Sequence, residues 1–433
     1  KVIDKSGNAT WYQFRIPIRN PDRIQGSISD FKTIRFIRTY LTDWEEPVVL
    51  RLAKFQLVGS QWRKYKESLF ESGLNEVPEL SESDFDISVV NVEDNSIGSD
   101  IKSPYVVPPG IKRDIDNTTI IQRRTNEQSL QLCFNDLSDG DARAVFKESN
   151  FDLINYGRIR MFIHAEANNG EILTDNEVHA FLRFGSDYEH NYYEIELPLK
   201  ITRPSLLNQN NINIERLVWP EENEINLDIQ ELLSLKSERN RLNIDVTTPF
   251  SKSSSNGNYT LKIVGRPNMS TVLNFMLGVR NPLSIDRGDK SACVWFNELR
   301  LTDFDKTKGW AANANLNLKL SDFATVSSSA RYTSVGFGSI QQRISERTRE
   351  ERLQYDASAN INLDKFLPSK SGIKLPLYIA ISKSKITPKY DPLDKDIPLE
   401  ASINSFDTKK ERRAYKNMTE ENIESKSISL NNI

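Results

Sequence analysis

The sequence predicts an all-β protein: jelly-roll-like β-sandwich domains followed by antiparallel transmembrane β-barrel strands. Three observations carry that reading. Runs rich in β-branched and aromatic residues recur along the chain, separated by Gly, Pro, Asn and Asp turns. From Trp310 onward the runs alternate strictly: Ala312, Ala314, Leu316, Leu318 and Leu320 are apolar, whereas Asn313, Asn315, Asn317 and Lys319 between them are polar. These runs also cover about ten residues each, the length of a tilted strand crossing a hydrocarbon core, with aromatic residues near the ends of the first pair.

Composition narrows the class further. A chain of 433 residues is expected to hold two or three domains, and a net charge of −3 gives no global field for nucleic acid. No apolar run approaches the roughly 18 residues of a membrane helix, which leaves a barrel open because half of each barrel strand is polar. The chain opens on Lys1 without a methionine and stops in what looks like another alternating run, Ser427, Ile428, Ser429 and Leu430. It therefore reads as an internal piece of a longer polypeptide, and the lack of a leader says nothing about compartment.

Taken in order, residues 1–66 read as strands (WYQFRIPI at 11–18, then 33–41 and 48–58) and form the C-terminal half of a sandwich. Residues 67–84, rich in Glu and Ser, read as a linker. Strand-like runs return at FDISVVNV and continue through SLQLCFNDL, RIRMFIHAEA, NEVHAFLRFG, NYYEIELPLKI, NYTLKIVG, TVLNFMLGVR and ACVWFNELRLTDF. Together, residues 85–307 make a second, complete sandwich. The one helical passage expected is an insertion near 224–239, where Ile225, Leu227, Ile229, Leu232, Leu233 and Leu235 recur at mostly helical spacing. An internal repeat supports two sandwiches: Tyr12 to Ile18 aligns with Tyr193 to Leu199, and 48–57 with 292–301.

After Phe304 the character changes, and 308–433 reads as barrel strands with long charged loops. A hairpin turns at Ser321-Asp322-Phe323, with Ser327 and Ser329 on the polar face of its second strand. A charged segment follows at 339–354, its arginines and glutamates at helical spacing. Alternation resumes at 355–363 and 373–381, before a polar stretch at 389–425 whose basic run, 409–413, reads as a solvated helix face. Four strands joined by short, long, short and long connections match outer-membrane barrels. Ala312, Ala314, Leu316, Leu318 and Leu320 would then face lipid, and Asn313, Asn315, Asn317, Ser327 and Ser329 the lumen. In such barrels the short turns face the periplasm, which puts the charged segments and the sandwich on the extracellular side.

Signals for chemistry are few. Asp136, Asp139 and Asp141 gather three carboxylates in one loop, as calcium sites of β-sandwiches do, but an Asp-Gly turn explains the same residues. Trp295 could offer a face for sugar stacking, though a strand packed on both faces accounts for it as well. That leaves a cell-surface glycan-binding sandwich with a membrane anchor as the alternative function. His164, His179 and His190 sit in no metal-spaced motif. Cys133 and Cys293 read as two free buried thiols, with a disulfide open to them only in an oxidising compartment. No phosphate loop or nucleophile motif is present, so neither enzyme activity nor a cofactor is expected.

The runs WYQFRIPI, FKTIRFIRTYLTDWEEPVVLRLAKFQLV, LSDGDARAVFK and WFNELRLTDFDKTKGWAANANLNLKLSDFATV together resemble the SprA family, also called Sov. This family is the outer-membrane translocon of the type 9 secretion system of Bacteroidota, linked to gliding motility. The resemblance spans essentially the whole chain. It implies a very large single-chain barrel with a capped pore and a lateral opening, which passes folded cargo to the cell surface. The partners it implies are a porin-like outer-membrane subunit, a plug protein and secreted cargo carrying C-terminal sorting domains. It supplies no catalytic residue and no cofactor.

Overall fold

The computed structural model describes residues 85–430 except 100–101, 117–122, 169, 208–212, 284–287, 344–345 and 369–371, together with 2–4, 7–9, 23, 37–40, 42, 43, 45, 49, 51, 62–66 and 69. The chain divides into two units, 1–59 and 60–433. In the first, β1 (Val2–Asp4) and β2 (Gly7–Ala9) pair as an antiparallel hairpin. The strands expected at 11–18, 33–41 and 48–58, and with them the first copy of the repeat, lie almost wholly outside the described residues, as does most of the 67–84 linker.

The second unit opens with β3 (Arg63–Lys64), β4 (Phe85–Asn91), the short pair β5 (Ile115–Asp116) and β6 (Arg123–Arg124), and β7 (Gln128–Leu137). Next come β8 (Ala142–Phe151), β9 (Tyr156–Ala167), β10 (His179–Gly185), β11 (Tyr192–Pro198) and α1 (Ile214–Val218). After β12 (Ile225–Asp228) and α2 (Ile229–Arg241) the chain returns to strand with β13 (Phe250–Ser253), β14 (Thr260–Val264), β15 (Val272–Arg280) and β16 (Lys290–Phe304).

These strands make two antiparallel sheets, one of seven strands in the order β13-β14-β11-β10-β15-β8-β3 and one of five in the order β12-β9-β16-β7-β4. Period-two alternation decides what each face meets. Ile159, Met161, Ile163 and Ala165 of β9 and Ala292, Val294 and Phe296 of β16 point into a core shared with Ala180, Leu182 and Phe184 of β10. The intervening residues are buried too. Phe162 and Trp295 join a second cluster with Tyr105, Val218 and Trp219 on the outer face of the five-stranded sheet. Phe181 and Met276 join a third cluster, with Leu69, on the outer face of the other. Burial on both faces explains the nearly unbroken apolar runs of these strands.

Three expectations are corrected here. Cys133 and Cys293 are not free thiols: β7 and β16 pair in a register that sets them directly opposite, and they form a disulfide. The passage at 224–239 is a strand before it is a helix. Ile225 and Leu227 alternate into the core as β12, and α2 starts where the Asp228 side chain accepts the Gln230 N–H, a cap on an otherwise unpaired donor. Nor is it the one helical passage, since α1 and two further helices below also form. The strand β8, which follows directly on the Asp-rich turn, had no counterpart in the sequence reading.

A separate antiparallel sheet follows the sandwich, in simple order: β17 (Ala311–Leu320), β18 (Ala324–Thr333), β19 (Glu350–Asn362), β20 (Pro376–Pro388) and β21 (Glu421–Leu430). The alternating run noted at 427–430 is the end of a fifth strand, which starts at Glu421 inside the stretch read as polar, and β19 starts at Glu350, inside the segment expected at helical spacing. Leu353 and Tyr355 alternate with Arg352 and Gln354, so the strand period overrides the charge spacing there. Between β20 and β21 lie α3 (Leu399–Asn404) and α4 (Lys409–Thr419), the latter opened by a Thr408–Glu411 capping box. The basic run 409–413 is thus the exposed start of a helix, as expected.

Candidate functional site: an exposed sheet with two unlike faces

Register alone sorts the five-stranded sheet into two surfaces. On one, Leu318, Val326, Ala359, Ile379 and Ile428 lie in a row across all five strands, and Leu320, Ala324, Ile361, Leu377 and Leu430 form the next. On the other, Asn315, Ser329, Asp356, Ser382 and Ser425 share a row, followed by Asn317, Ser327, Ser358, Ala380 and Ser427. Ala312, Ala314, Leu316, Leu318 and Leu320 fall on the first face, and Asn313, Asn315, Asn317, Ser327 and Ser329 on the second. The sandwich does not cover the apolar face. Leu316 is 52 % exposed, Leu318 44 % and Leu320 50 %, and every residue of β17 and of β21 is exposed.

Aromatic rings sit near both ends of the first hairpin. The Trp310 and Tyr332 rings pack at a tilt with centres 4.6 Å apart at the sandwich end, and Phe323 and Phe366 meet edge to face at 5.3 Å at the turn end. Ten residues of β17 amount to about 33 Å of strand, or about 25 Å of height at a tilt of about 40°. The polar face is concave. Asn315, Asn317, Ser327, Ser329, Ser358 and Ser427 help line a trough of about 460 Å³, and Ser382 donates to Asp356 at 2.5 Å within it. The sheet is open, with β17 and β21 at its edges. No helix among the described residues is long and apolar enough to cross a membrane, which says nothing of strands.

The two long connections lie at the sandwich end, as antiparallel order requires, and both grip the sandwich. Arg349 pairs with Asp152, and Lys389 reaches Asp305 at 3.4 Å. The tightest contact is Asp396, which is fully buried. It accepts from Lys236 of α2 at 2.6 Å, from the Tyr193 hydroxyl of β11 at 2.9 Å and from the Met269 N–H at 3.3 Å. Asp394 adds Lys236 at 3.1 Å and Asn240 at 2.8 Å, while Ile397 and Leu399 bury beside them. Burial, and then the Asp396 carboxylate, push the Tyr193 hydroxyl well above its ordinary pKa, so it remains a donor. This clamp was missed in the sequence. Its one readable sign was Lys236, a cation on the Ile229, Leu232 and Leu233 stripe of α2.

The remaining candidates resolve differently. Asp136, Asp139 and Asp141 do not gather around a cavity: Asp141 is buried, accepts the Ala142 N–H at 2.7 Å and pairs with Arg143. Among the described residues no cluster of three metal-capable side chains forms. Trp295 is 2 % exposed and its ring lies 3.9 Å from that of His164, so it has no face free for a sugar. His164 Nδ1 lies 2.7 Å from the Val218 carbonyl, and His179 pairs with Glu196. Glu194 is fully buried, which raises its carboxyl pKa, but Arg183, Lys262 and Arg280 around it more than offset this and hold it well below the ordinary 4.5.

A search of curated proteins returns no match to this chain. A scan of protein families matches residues 3–403 to SprA_N, described as a motility related/secretion protein. That span takes in the disulfide-bearing sandwich and β17 to β20, and it covers well over half of the chain. The protein accordingly belongs to the SprA_N family of motility-related secretion proteins.

Proposed function

We propose that this chain supplies wall strands and a rim-mounted sandwich to a protein-conducting channel of the bacterial outer membrane, serving type 9 secretion and gliding motility. One observation carries the reading. A sheet of membrane-crossing length, with aromatics near both ends of its first hairpin, presents an uncovered aliphatic face opposite a concave face of Asn and Ser. Aliphatic residues suit acyl chains. Small, weakly charged polar residues make a wetted wall along which varied cargo slides without adhering.

Other features support the same picture. The unpaired edges of β17 and β21 call for further strands, because an open edge is untenable in hydrocarbon. A disulfide fits an oxidising compartment outside the cytoplasm, and the sandwich, on the side of the long loops, sits extracellularly in this reading. The strand order supports a jelly roll: β7-β16-β9-β12 faces β8-β15-β10-β11, each sheet interleaving early and late strands as two Greek keys do. The partners proposed are a porin-like subunit, a plug protein and cargo with C-terminal sorting domains. The activity is conduction rather than catalysis.

The test is asymmetric mutation of β17 in the full-length protein. Leu316→Arg or Leu318→Arg places a cation near the midplane of the lipid face and costs about 2–4 kcal/mol of assembly. Asn315→Arg on the other face is tolerated. Heat-modifiable gel mobility in isolated outer membranes reads the difference, and equal behaviour of the two faces overturns the proposal.

A further inference from the structure

The apolar face does not end squarely. Toward the sandwich, β17 to β19 stay apolar through Ala312, Tyr332 and Leu353, but on β20 and β21 the same face turns basic at Lys383, Lys385 and Lys426. An oblique border is what tilt produces. Strands about 4.8 Å apart and inclined by about 40° step in height by about 3 Å, a little over one residue, at each neighbour. The three lysines therefore mark the level at which β20 and β21 leave the hydrocarbon.

Helix α4 extends that basic corner. It carries five cations and one carboxylate, and the carboxylate, Glu411, is spent on the capping box. Its C-terminal end is tied to the sheet through buried Glu420, which lies 3.8 Å from Lys416 and 3.1 Å from Lys385. Two acids of the corner are engaged, Glu420 by these two lysines and Glu424 by Lys426, while Glu421 is exposed. Lys383 stands across the ladder from Glu424, whereas no carboxylate among the described residues forms an ion pair with Lys410 or Arg413, and both of these are exposed.

We infer that this corner is a docking surface for the phosphates of an anionic lipid leaflet. The inference rests on the reading of β17 to β21 as membrane wall. The occupant follows from continuity and charge. The uncovered aliphatic rows give way to a border of three lysines, and the helix that leads into β21 adds Lys410 and Arg413, exposed and without a carboxylate in an ion pair. A ligand that meets both surfaces has acyl chains below and a phosphate above, which describes a lipid and neither a nucleic acid nor an acidic peptide. The consequence is a wall anchored at a fixed height by headgroups on the side of the clamped sandwich.

The experiment uses the full-length protein in a neutral detergent, mixed with micelles containing either phosphatidylglycerol or phosphatidylcholine, with retained lipid measured after gel filtration. Phosphatidylglycerol is expected to be retained preferentially, and less so at high salt. Lys383→Gln, Lys410→Gln and Arg413→Gln each weaken its retention by about fivefold, and Lys383→Arg and Lys410→Arg restore it. Equal retention of the two lipids, or no change in the Gln variants, overturns the inference while leaving the membrane wall standing. Retention of neither lipid overturns both. Displacement of phosphatidylglycerol by millimolar inorganic phosphate also overturns it, since the corner would then be a free-anion site.

Discussion

Replacing Asp396 by Ala tests whether the β20–β21 connection is locked to the sandwich. Lys236 is 1 % exposed and is held by Asp396 at 2.6 Å, Asp394 at 3.1 Å and the Pro267 carbonyl at 2.9 Å. Removing one member of a buried ion pair costs roughly 3–5 kcal/mol, because the other charge stays desolvated. Asp394 remains beside Lys236 and softens that loss. The Tyr193 hydroxyl and the Met269 N–H, however, lose their acceptor, each worth roughly 1–3 kcal/mol when buried. The expected cost is about 4 kcal/mol, drawing on both effects. If the connection opens locally, amides of 391–399 exchange about a thousandfold faster, as about 1.4 kcal/mol corresponds to each factor of ten. Asp396→Asn, which keeps an acceptor for Tyr193, sits between. Lys236→Met with Asp396→Leu recovers only the part due to the stranded Lys236 charge, because the Tyr193 hydroxyl and the Met269 N–H still lack an acceptor. Hydrogen exchange of the full-length protein in detergent measures all of this. The reasoning is wrong if Asp396→Ala exchanges no faster at 391–399 than Asp407→Ala, a change at an exposed position of the same connection.

Three further outcomes follow from the sandwich. Cys133→Ser with Cys293→Ser removes a link across 160 residues and costs roughly 2–4 kcal/mol, so reductant lowers the wild-type melting temperature but not that of the variant. Glu194 has a carboxyl pKa depressed below 4.5, so its contribution is complete above that pH and is lost as the pH falls through the folded value; melts at pH 7, 5 and 3 should show the wild type declining only in acid, and Glu194→Gln weaker at pH 7 with a flatter acid limb. Trp295→Ala leaves a cavity beside Tyr105, His164 and Trp219 and costs roughly 3–5 kcal/mol in a denaturant titration, while binding on a glycan array is no different from that of the wild type.

The alternation beyond Trp310 was enough to assign both faces of the last sheet, because a period of two needs no partner to be read. Most sandwich strands were legible for a related reason: long β-branched and aromatic runs leave few other options. Errors gathered where two periods compete. Ile225 and Leu227 fit a helix or a strand, and only pairing with β9 decides between them. The charged residues before Tyr355 were read by spacing, although their neighbours Leu353 and Tyr355 belong to a strand.

By itself, then, the sequence determined an all-β chain, the sidedness of its last strands, and the absence of familiar catalytic motifs, all of which are local properties of spacing and side-chain type. The tertiary structure alone decided the Cys133–Cys293 pairing and the burial of Trp295. It alone brought Asp396 to Tyr193 and Lys236, partners 203 and 160 residues away. Such contacts depend on register and on loops closing across long separations, and an Asp in a polar stretch carries no mark of the lysine it will meet.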